Sequence, residues 1–280
     1  MAMNASARPP SLARRHYRSV FISDTHLGTR GCQAAALAEF LAGISCERLY
    51  LVGDIIDGWR LRKSWYWDDA HDDVVQRLLA HARRGVEVIY IPGNHDEALR
   101  RWLPHLALPG FDISGIRLRS EAVHTTADGK RLLVVHGDAF DSVVRYARCV
   151  ALLGDSAYTA ALALNRWFNA VRRWLGLPYW SLSAFLKHQV KQAVKAIACF
   201  EDALAAEAER RGMDGVVCGH IHQAELRSIG RVLYFNTGDW VESCTALVEH
   251  PDGKMELYDW TEANAVAMRA SRACRALQAA

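Results

Sequence analysis

Tyr17-Arg18-Ser19-Val20-Phe21-Ile22-Ser23-Asp24-Thr25-His26 passes without a break from a β-prone apolar run to a pair of oxygen and nitrogen donors. The change falls where a strand gives way to a loop, the edge at which open α/β sheets build their sites. Four more stretches repeat that order. Gly53-Asp54-Ile55-Ile56-Asp57, Gly93-Asn94-His95-Asp96, His136-Gly137-Asp138 and Gly219-His220-Ile221-His222 each follow an apolar segment, such as Val86-Glu87-Val88-Ile89-Tyr90-Ile91. In the Asp24/His26 and His220/His222 pairs the i, i+2 spacing predicts extended backbone with both side chains on one side, so that each pair grips one ion.

Asp24, His26, Asp54, Asn94, His136, His220 and His222 supply seven donor side chains. For two ions to reach four protein ligands each, one carboxylate must be shared, and Asp54, central in the order, has two oxygens with which to bridge. Imidazole, carboxylate and amide donors without a thiolate suit Mn²⁺, Fe or Zn²⁺ and leave positions open for water. Two such ions carry more charge than two aspartates cancel, which implies an anionic substrate. Phosphate fits, because paired cations clamp the attacking and leaving oxygens of an in-line displacement. Taken singly, the clusters have plainer readings: the glycines as turn residues, and Asp or Asn after a strand as a helix cap. Asp96 and Asp138 are expected to orient neighbouring groups rather than bind metal.

The five blocks together resemble the calcineurin-like metallophosphoesterases, whose pattern is D-x-H, G-D-x-x-D, G-N-H-D/E, H and G-H-x-H. The resemblance spans Asp24 to His222. It implies an α/β fold, a four-layer αββα sandwich, and two divalent metal ions. Asp24, His26, Asp54 and His222 would hold one ion, and Asp54, Asn94, His136 and His220 the other. It also implies a catalytic pair, His95 with Asp57, that protonates the leaving group or stabilises the transferring phosphoryl. A histidine beside two cations resists protonation unless a carboxylate holds it.

Within that superfamily the chain looks most like the UDP-2,3-diacylglucosamine diphosphatase group. Ser23-Asp24-Thr25-His26-Leu27-Gly28, a helical insertion after His136-Gly137-Asp138, and Gly238-Asp239-Trp240 after His220-Ile221-His222 carry the likeness. It implies hydrolysis of UDP-2,3-diacylglucosamine to UMP and diacylglucosamine 1-phosphate in lipid A synthesis, with Mn²⁺. His95 departs from that group, whose well-known members carry arginine there. The alternative is a general phosphomonoesterase or phosphodiesterase acting on another phosphorylated lipid or nucleotide.

Composition sets the bounds. The chain has 280 residues, 51% hydrophobic, enough for one domain with an insertion. Seven cysteines without C-x-x-C spacing argue for a reducing compartment, and no apolar run is long enough to span a bilayer. A cytoplasmic protein is expected, soluble or peripheral on the inner membrane. The expected organisation is a disordered basic tail over 1–16, core over 17–141 and 212–262, a helical lid over 142–211, and a C-terminal tail over 263–280. In the core, strands 17–23, 48–52 and 86–91 alternate with helices 33–43 and 69–84, which predicts a largely parallel sheet. An extended stretch near 115–126 then turns at Asp128-Gly129 into a hairpin.

The insertion is basic and aromatic. Residues 142–200 hold eight Lys or Arg against the single acid Asp155, while the whole chain is only +3. These residues either pack helices behind a solvated cationic face or recognise substrate. In the second case the apolar side takes acyl chains and Arg145, Lys187 or Lys191 meets the phosphates of a lipid-linked nucleotide. Aliphatic neighbours favour lipid over nucleic acid.

Overall fold

The computed structural model describes residues 14–102, 115–140, 174–176 and 182–266. The chain divides into two compact units, Met1–Asp138 with Ala208–Ala280, and Ala139–Glu207. Arg145 lies outside the described residues. Lys187 and Lys191 lie on the helix Leu182–Arg210 of the insertion, and Lys191 is exposed. No helix among the described residues is long and apolar enough to cross a membrane.

The first unit is built on two sheets. β1 (Arg15–Ile22), α1 (Ala34–Gly43), β2 (Ile44–Val52), α2 (Gly58–Lys63), α3 (Asp69–Arg83), β3 (Glu87–Ile91) and β4 (Ile116–Leu118) come first in the chain. The hairpin β5 (Ala122–Thr125) and β6 (Arg131–Val134) follows, and after the helix Leu182–Arg210, here α4, come β7 (Gly215–Cys218), β8 (Glu225–Ile229), β9 (Val232–Asn236), β10 (Thr245–Glu249) and β11 (Met255–Asp259). The larger sheet has the order β11-β10-β1-β2-β3-β4, parallel from β1 to β4. The smaller has the order β5-β6-β7-β9-β8, parallel from β6 through β9.

Strand alternation assigns the two cores. Val20 and Ile22 of β1 and Leu49 and Leu51 of β2 face α1 and α3, joining Leu37, Leu41, Val74 and Leu78. Their alternates Phe21, Tyr50 and Val52 meet Leu132, Val134, Val217 and Phe235 of the smaller sheet. A sheet covered on both faces needs apolar residues at every position, which is why β1 and β2 read as continuous hydrophobic runs.

The stretch expected to be one extended segment near 115–126 is two strands in different sheets. β4 pairs with β3 in the larger sheet, whereas β5 pairs with β6 in the smaller. The chain changes sheets at the exposed residues Arg119, Ser120 and Glu121. Both halves are extended, so their residue types give no sign of the crossing.

Between the sheets runs one chain of polar groups. Tyr50 Oη lies 3.1 Å from Nδ1 of His124, whose Nε2 lies 2.8 Å from Oε2 of Glu249. Arg18 and the Ala127 amide donate to Oε1 of Glu249 at 2.7 and 2.8 Å. His124 and Glu249 are fully buried. Each buried charge there has a partner, as burial in a low dielectric demands.

Candidate metal centre

β1, β2, β3, β6 and β7 end at Ile22, Val52, Ile91, Val134 and Cys218, and each is followed within a few residues by one of the predicted donors. The backbone there is not extended. Asp24, His26, Asp54, His220 and His222 all have positive φ, 49°, 49°, 53°, 73° and 57°. The i, i+2 pairs therefore reach one side through left-handed turns rather than through strand alternation, a correction to the sequence reading. Left-handed backbone is costly for Asp and His and persists only where the surroundings impose it. Here the loops bond each other: the amides of Asp24, His26 and Leu27 donate to the carbonyls of Gly53, Asp54 and Ile55 at 3.0, 2.9 and 2.9 Å.

Glycine clears space for this crossing. A Cβ on Gly93 would stand 2.7 Å from the Asp54 amide nitrogen and 2.7 Å from the His136 ring, and also against the Asp54 carboxylate. Backbone cannot yield as a flexible side chain does. Gly93→Ala is expected to cost about 1–3 kcal/mol by overpacking and to lower metal content. Urea denaturation and metal analysis of the purified variant check this, and unchanged values in both would refute it.

The donors form three overlapping groups, Asp24/His26/His222, Asp54/His136/His220 and His26/Asp54/His95. In each, the candidate ligand atoms lie within 4.8 Å of one another. Oδ1 of Asp24 is 3.2 Å from Nε2 of His222, and Oδ1 of Asp54 is 3.5 Å from Nε2 of His136. Oδ2 of Asp54 faces the other way, 3.8 Å from Nε2 of His26. The two oxygens of Asp54 thus address different groups. Oδ2 of Asp54, Oδ1 of Asn94 and Nε2 of His136 are shielded from solvent yet make no hydrogen bond. Buried polar atoms without partners are costly, so these orphaned donors, with Asp54 and His136 in one group, fit divalent cations.

The charges agree. Burial works to raise the carboxyl of Asp54, but His136 outweighs it and holds Asp54 at about 2. Burial likewise opposes protonation of His136, yet the carboxylates of Asp54 and Asp24 lift it to about 10.

His95 and Asp57 are brought together. Nδ1 of His95 lies 3.0 Å from Oδ2 of Asp57, and Nδ1 of His26 lies 3.2 Å from the same oxygen. Burial raises the Asp57 carboxyl, but hydrogen bonds to His26 and His95 hold it well below the usual carboxylate range. Oδ1 of Asp57 also accepts from the Arg60 amide and caps α2, so the helix-cap reading and the site reading apply to one residue. Trp59 on that helix packs against His95, with ring centroids 4.3 Å apart and planes tilted by 35°. Ile56, Trp59, Arg62, His95 and Leu99 line a cavity of 180 Å³ against the His95 ring.

Several supporting residues escaped the sequence reading. Ser23 donates to Asp24, and the Trp240 amide donates to the Asp24 carbonyl at 3.1 Å. Asp239 accepts from the amides of Val241 and Glu242 and sets Oδ2 3.9 Å from Nδ1 of His222. Gly238-Asp239-Trp240 is their signal in the sequence. Arg100 had none: its guanidinium donates to both oxygens of Asp138 at 2.7 Å and to the Pro92 carbonyl, bracing the His95 loop against the His136 loop. Asp96 accepts from the Ile55 amide and Tyr90 Oη at 2.9 and 2.6 Å, an orienting position.

The calcineurin-like phosphoesterase pattern matches residues 17–224, most of the chain. The chain belongs to that family. This calcineurin-like phosphoesterase is accordingly a hydrolase of a family that works with divalent metal ions. A UDP-2,3-diacylglucosamine hydrolase from Xanthomonas campestris pv. campestris is 27% identical to the phosphoesterase over 264 residues, covering 84% of this chain and 96% of the relative. One of the same name from Blochmanniella pennsylvanica is 23% identical over 226 residues, covering 76% and 82%. The structure of YfcE, a phosphoesterase from E. coli, covers 86% of this chain and 98% of its own at 17% identity, with a TM-score of 0.39.

Proposed function

We propose that the phosphoesterase hydrolyses UDP-2,3-diacylglucosamine to UMP and diacylglucosamine 1-phosphate on the cytoplasmic side of the inner membrane, using two Mn²⁺ ions. Asp24, His26, Asp54 and His222 would hold one ion, and Asp54, Asn94, His136 and His220 the other. The observation that carries the substrate reading is the cavity against His95, walled by Ile56, Trp59 and Leu99 with Arg62 at its side. Apolar walls suit an acyl chain, and Arg62 lines the cavity together with the carboxylates of Asp96 and Glu97. The names of the two relatives support the same reading. The insertion, through Arg145, Lys187 and Lys191, is proposed to add phosphate and acyl contacts.

When bound, two divalent ions supply the positive charge that activates water and offsets the phosphoryl oxygens. The chain's own residues do the rest. Oδ2 of Asp57, 3.0 Å from Nδ1 of His95, orients the ring so that Nε2, 3.9 Å from Oδ2 of Asp54, faces the ligand group and the leaving oxygen. Trp59 packs against the ring and limits its movement. His95→Ala is expected to lower kcat about 10²- to 10⁴-fold while two metals remain. Loss of a metal in that variant would make His95 a ligand instead.

The test is to incubate the Mn²⁺-loaded protein with UDP-2,3-diacylglucosamine and, separately, with bis-p-nitrophenyl phosphate. UMP release is expected. Hydrolysis of the generic ester without UMP would leave a general phosphodiesterase, the reading that histidine rather than arginine at position 95 favours.

A further inference from the structure

One guanidinium beside the metal centre spans two of the donor loops. Arg100 lies on the 3-10 turn Glu97–Trp102, directly after the loop that carries Asn94 and His95. Its Nη1 and Nη2 donate to Oδ2 and Oδ1 of Asp138, each at 2.7 Å, while Nε and Nη2 also donate to the Pro92 carbonyl at 3.2 and 2.7 Å. Pro92 is the root of the His95 loop, and Asp138 lies two residues beyond His136. A planar fork making paired bonds fixes direction as well as distance, which a single ammonium cannot do.

The His95 loop is otherwise held from the opposite side. The His95 amide donates to Oδ1 of Asp54 at 2.8 Å, and the His95 carbonyl accepts from the Gly58 amide at 3.0 Å. Asp96 accepts from the Ile55 amide and from Tyr90 Oη. All of these tie the loop to β3 or to the segment after β2. Among the described residues, Arg100 alone supplies hydrogen bonds that join it to the loop of His136. The His95 ring has little freedom of its own: Nδ1 lies 3.0 Å from Oδ2 of Asp57, and Trp59 and His26 pack on the ring with centroids at 4.3 and 4.6 Å. A ring so held cannot swing to follow a displaced loop, so the reach of Nε2 is set by the backbone beneath it.

We propose that Arg100 is a positioning residue for the hydrolysis: by clasping Pro92 to Asp138 it sets the distance from Nε2 of His95 to the leaving oxygen. The inference rests on the proposed action of His95 at that oxygen. Misplacing a reacting group by about 1 Å costs up to about 10²-fold in rate, so a clasp that holds one loop edge is worth a measurable share of the catalysis.

The experiment compares two diesters of one shape: bis-p-nitrophenyl phosphate, whose nitrophenolate leaves readily, and diphenyl phosphate, whose phenolate needs a proton as it leaves. Arg100→Ala is expected to lower kcat about 30-fold on diphenyl phosphate and about threefold on bis-p-nitrophenyl phosphate, with KM little changed and two metals retained. Arg100→Lys, which keeps the charge without the fork, should show the same contrast at reduced size. In a His95→Ala background, Arg100→Ala should add less than about twofold on diphenyl phosphate, because the group it positions is gone. Equal losses on both diesters would overturn the proposal, as would a full further loss in the His95→Ala background. Departure of a metal from Arg100→Ala would overturn it too, since the clasp would then serve the ligand loops. A His95→Ala variant with equal losses on both diesters would refute His95 as the leaving-group residue and this inference with it. A contrast in His95→Ala that is missing from Arg100→Ala would refute the inference alone.

Discussion

Asp54→Asn is expected to lower kcat/KM for any phosphoester about 10³-fold or more, the largest loss available from one side chain in this site. The reason is geometric. Oδ1 of Asp54 belongs with His136 and Oδ2 with His26, so one substitution weakens both donor groups where a change at His222 or His220 weakens one. Metal content should fall below two per chain. Folding in the absence of metal should hold, because Asn keeps an oxygen for the His95 amide, which donates to Oδ1 at 2.8 Å. It also removes a buried negative charge that Asp24 repels. Metal analysis, steady-state kinetics and denaturation of the chelator-treated protein read the three effects separately. A variant that keeps both metals and its activity would end the bridging assignment.

Far from that centre, Glu249→Ala should give the largest loss of stability, about 3–5 kcal/mol, with metal content unaltered in the folded fraction. It strips His124 and the Ala127 amide of their acceptor and leaves Arg18 with the Thr125 carbonyl alone. Breaking one member of a buried charged network exposes the full desolvation cost of the others. The pH dependence follows from the same contacts. Burial raises the Glu249 carboxyl, but hydrogen bonds to His124 and the Ala127 amide bring it to about 2, below its ordinary 4.5. A group depressed in the folded state stabilises above its unfolded value, so this contribution is complete above about 4.5 and is lost as the pH falls toward 2. Urea midpoints of the wild type should drop across that window, and those of the variant should drop less. Parallel pH profiles would show that Glu249 is not the group responsible.

How far the sequence carried these conclusions depended on the kind of signal. Strands β1, β2 and β3 and helices α1 and α3 were legible because their periodicity is local and their ends are marked. The family and its hydrolase chemistry were legible because five donor clusters keep their order along the chain. What the sequence hid is non-local. β4 and β5 lie three residues apart in different sheets, and no residue between them announces it. α2 was missed because a six-residue helix capped by Asp57 has no room for a repeating apolar face. Arg100 and Asp239 were missed as braces because their partners lie across loops, Asp138 and His222 among them. The i, i+2 pairs were found for a sound reason with the wrong geometry, since two left-handed residues can converge as extended ones do.

Those left-handed residues bear on how such a site is kept over time. Asp24, His26, Asp54, His220 and His222 occupy backbone conformations in which glycine would be more comfortable by about 1 kcal/mol each. Replacement of the histidines among them by glycine should relieve strain in the metal-free chain even as it removes a donor, so backbone stability alone pulls those positions away from the residues they hold, whereas Asp24 and Asp54 also accept from the His220 and His95 amides. A lineage released from the need to turn over phosphoesters would drift toward a sturdier, inert fold. Only continued use of the cations keeps this sequence where it is.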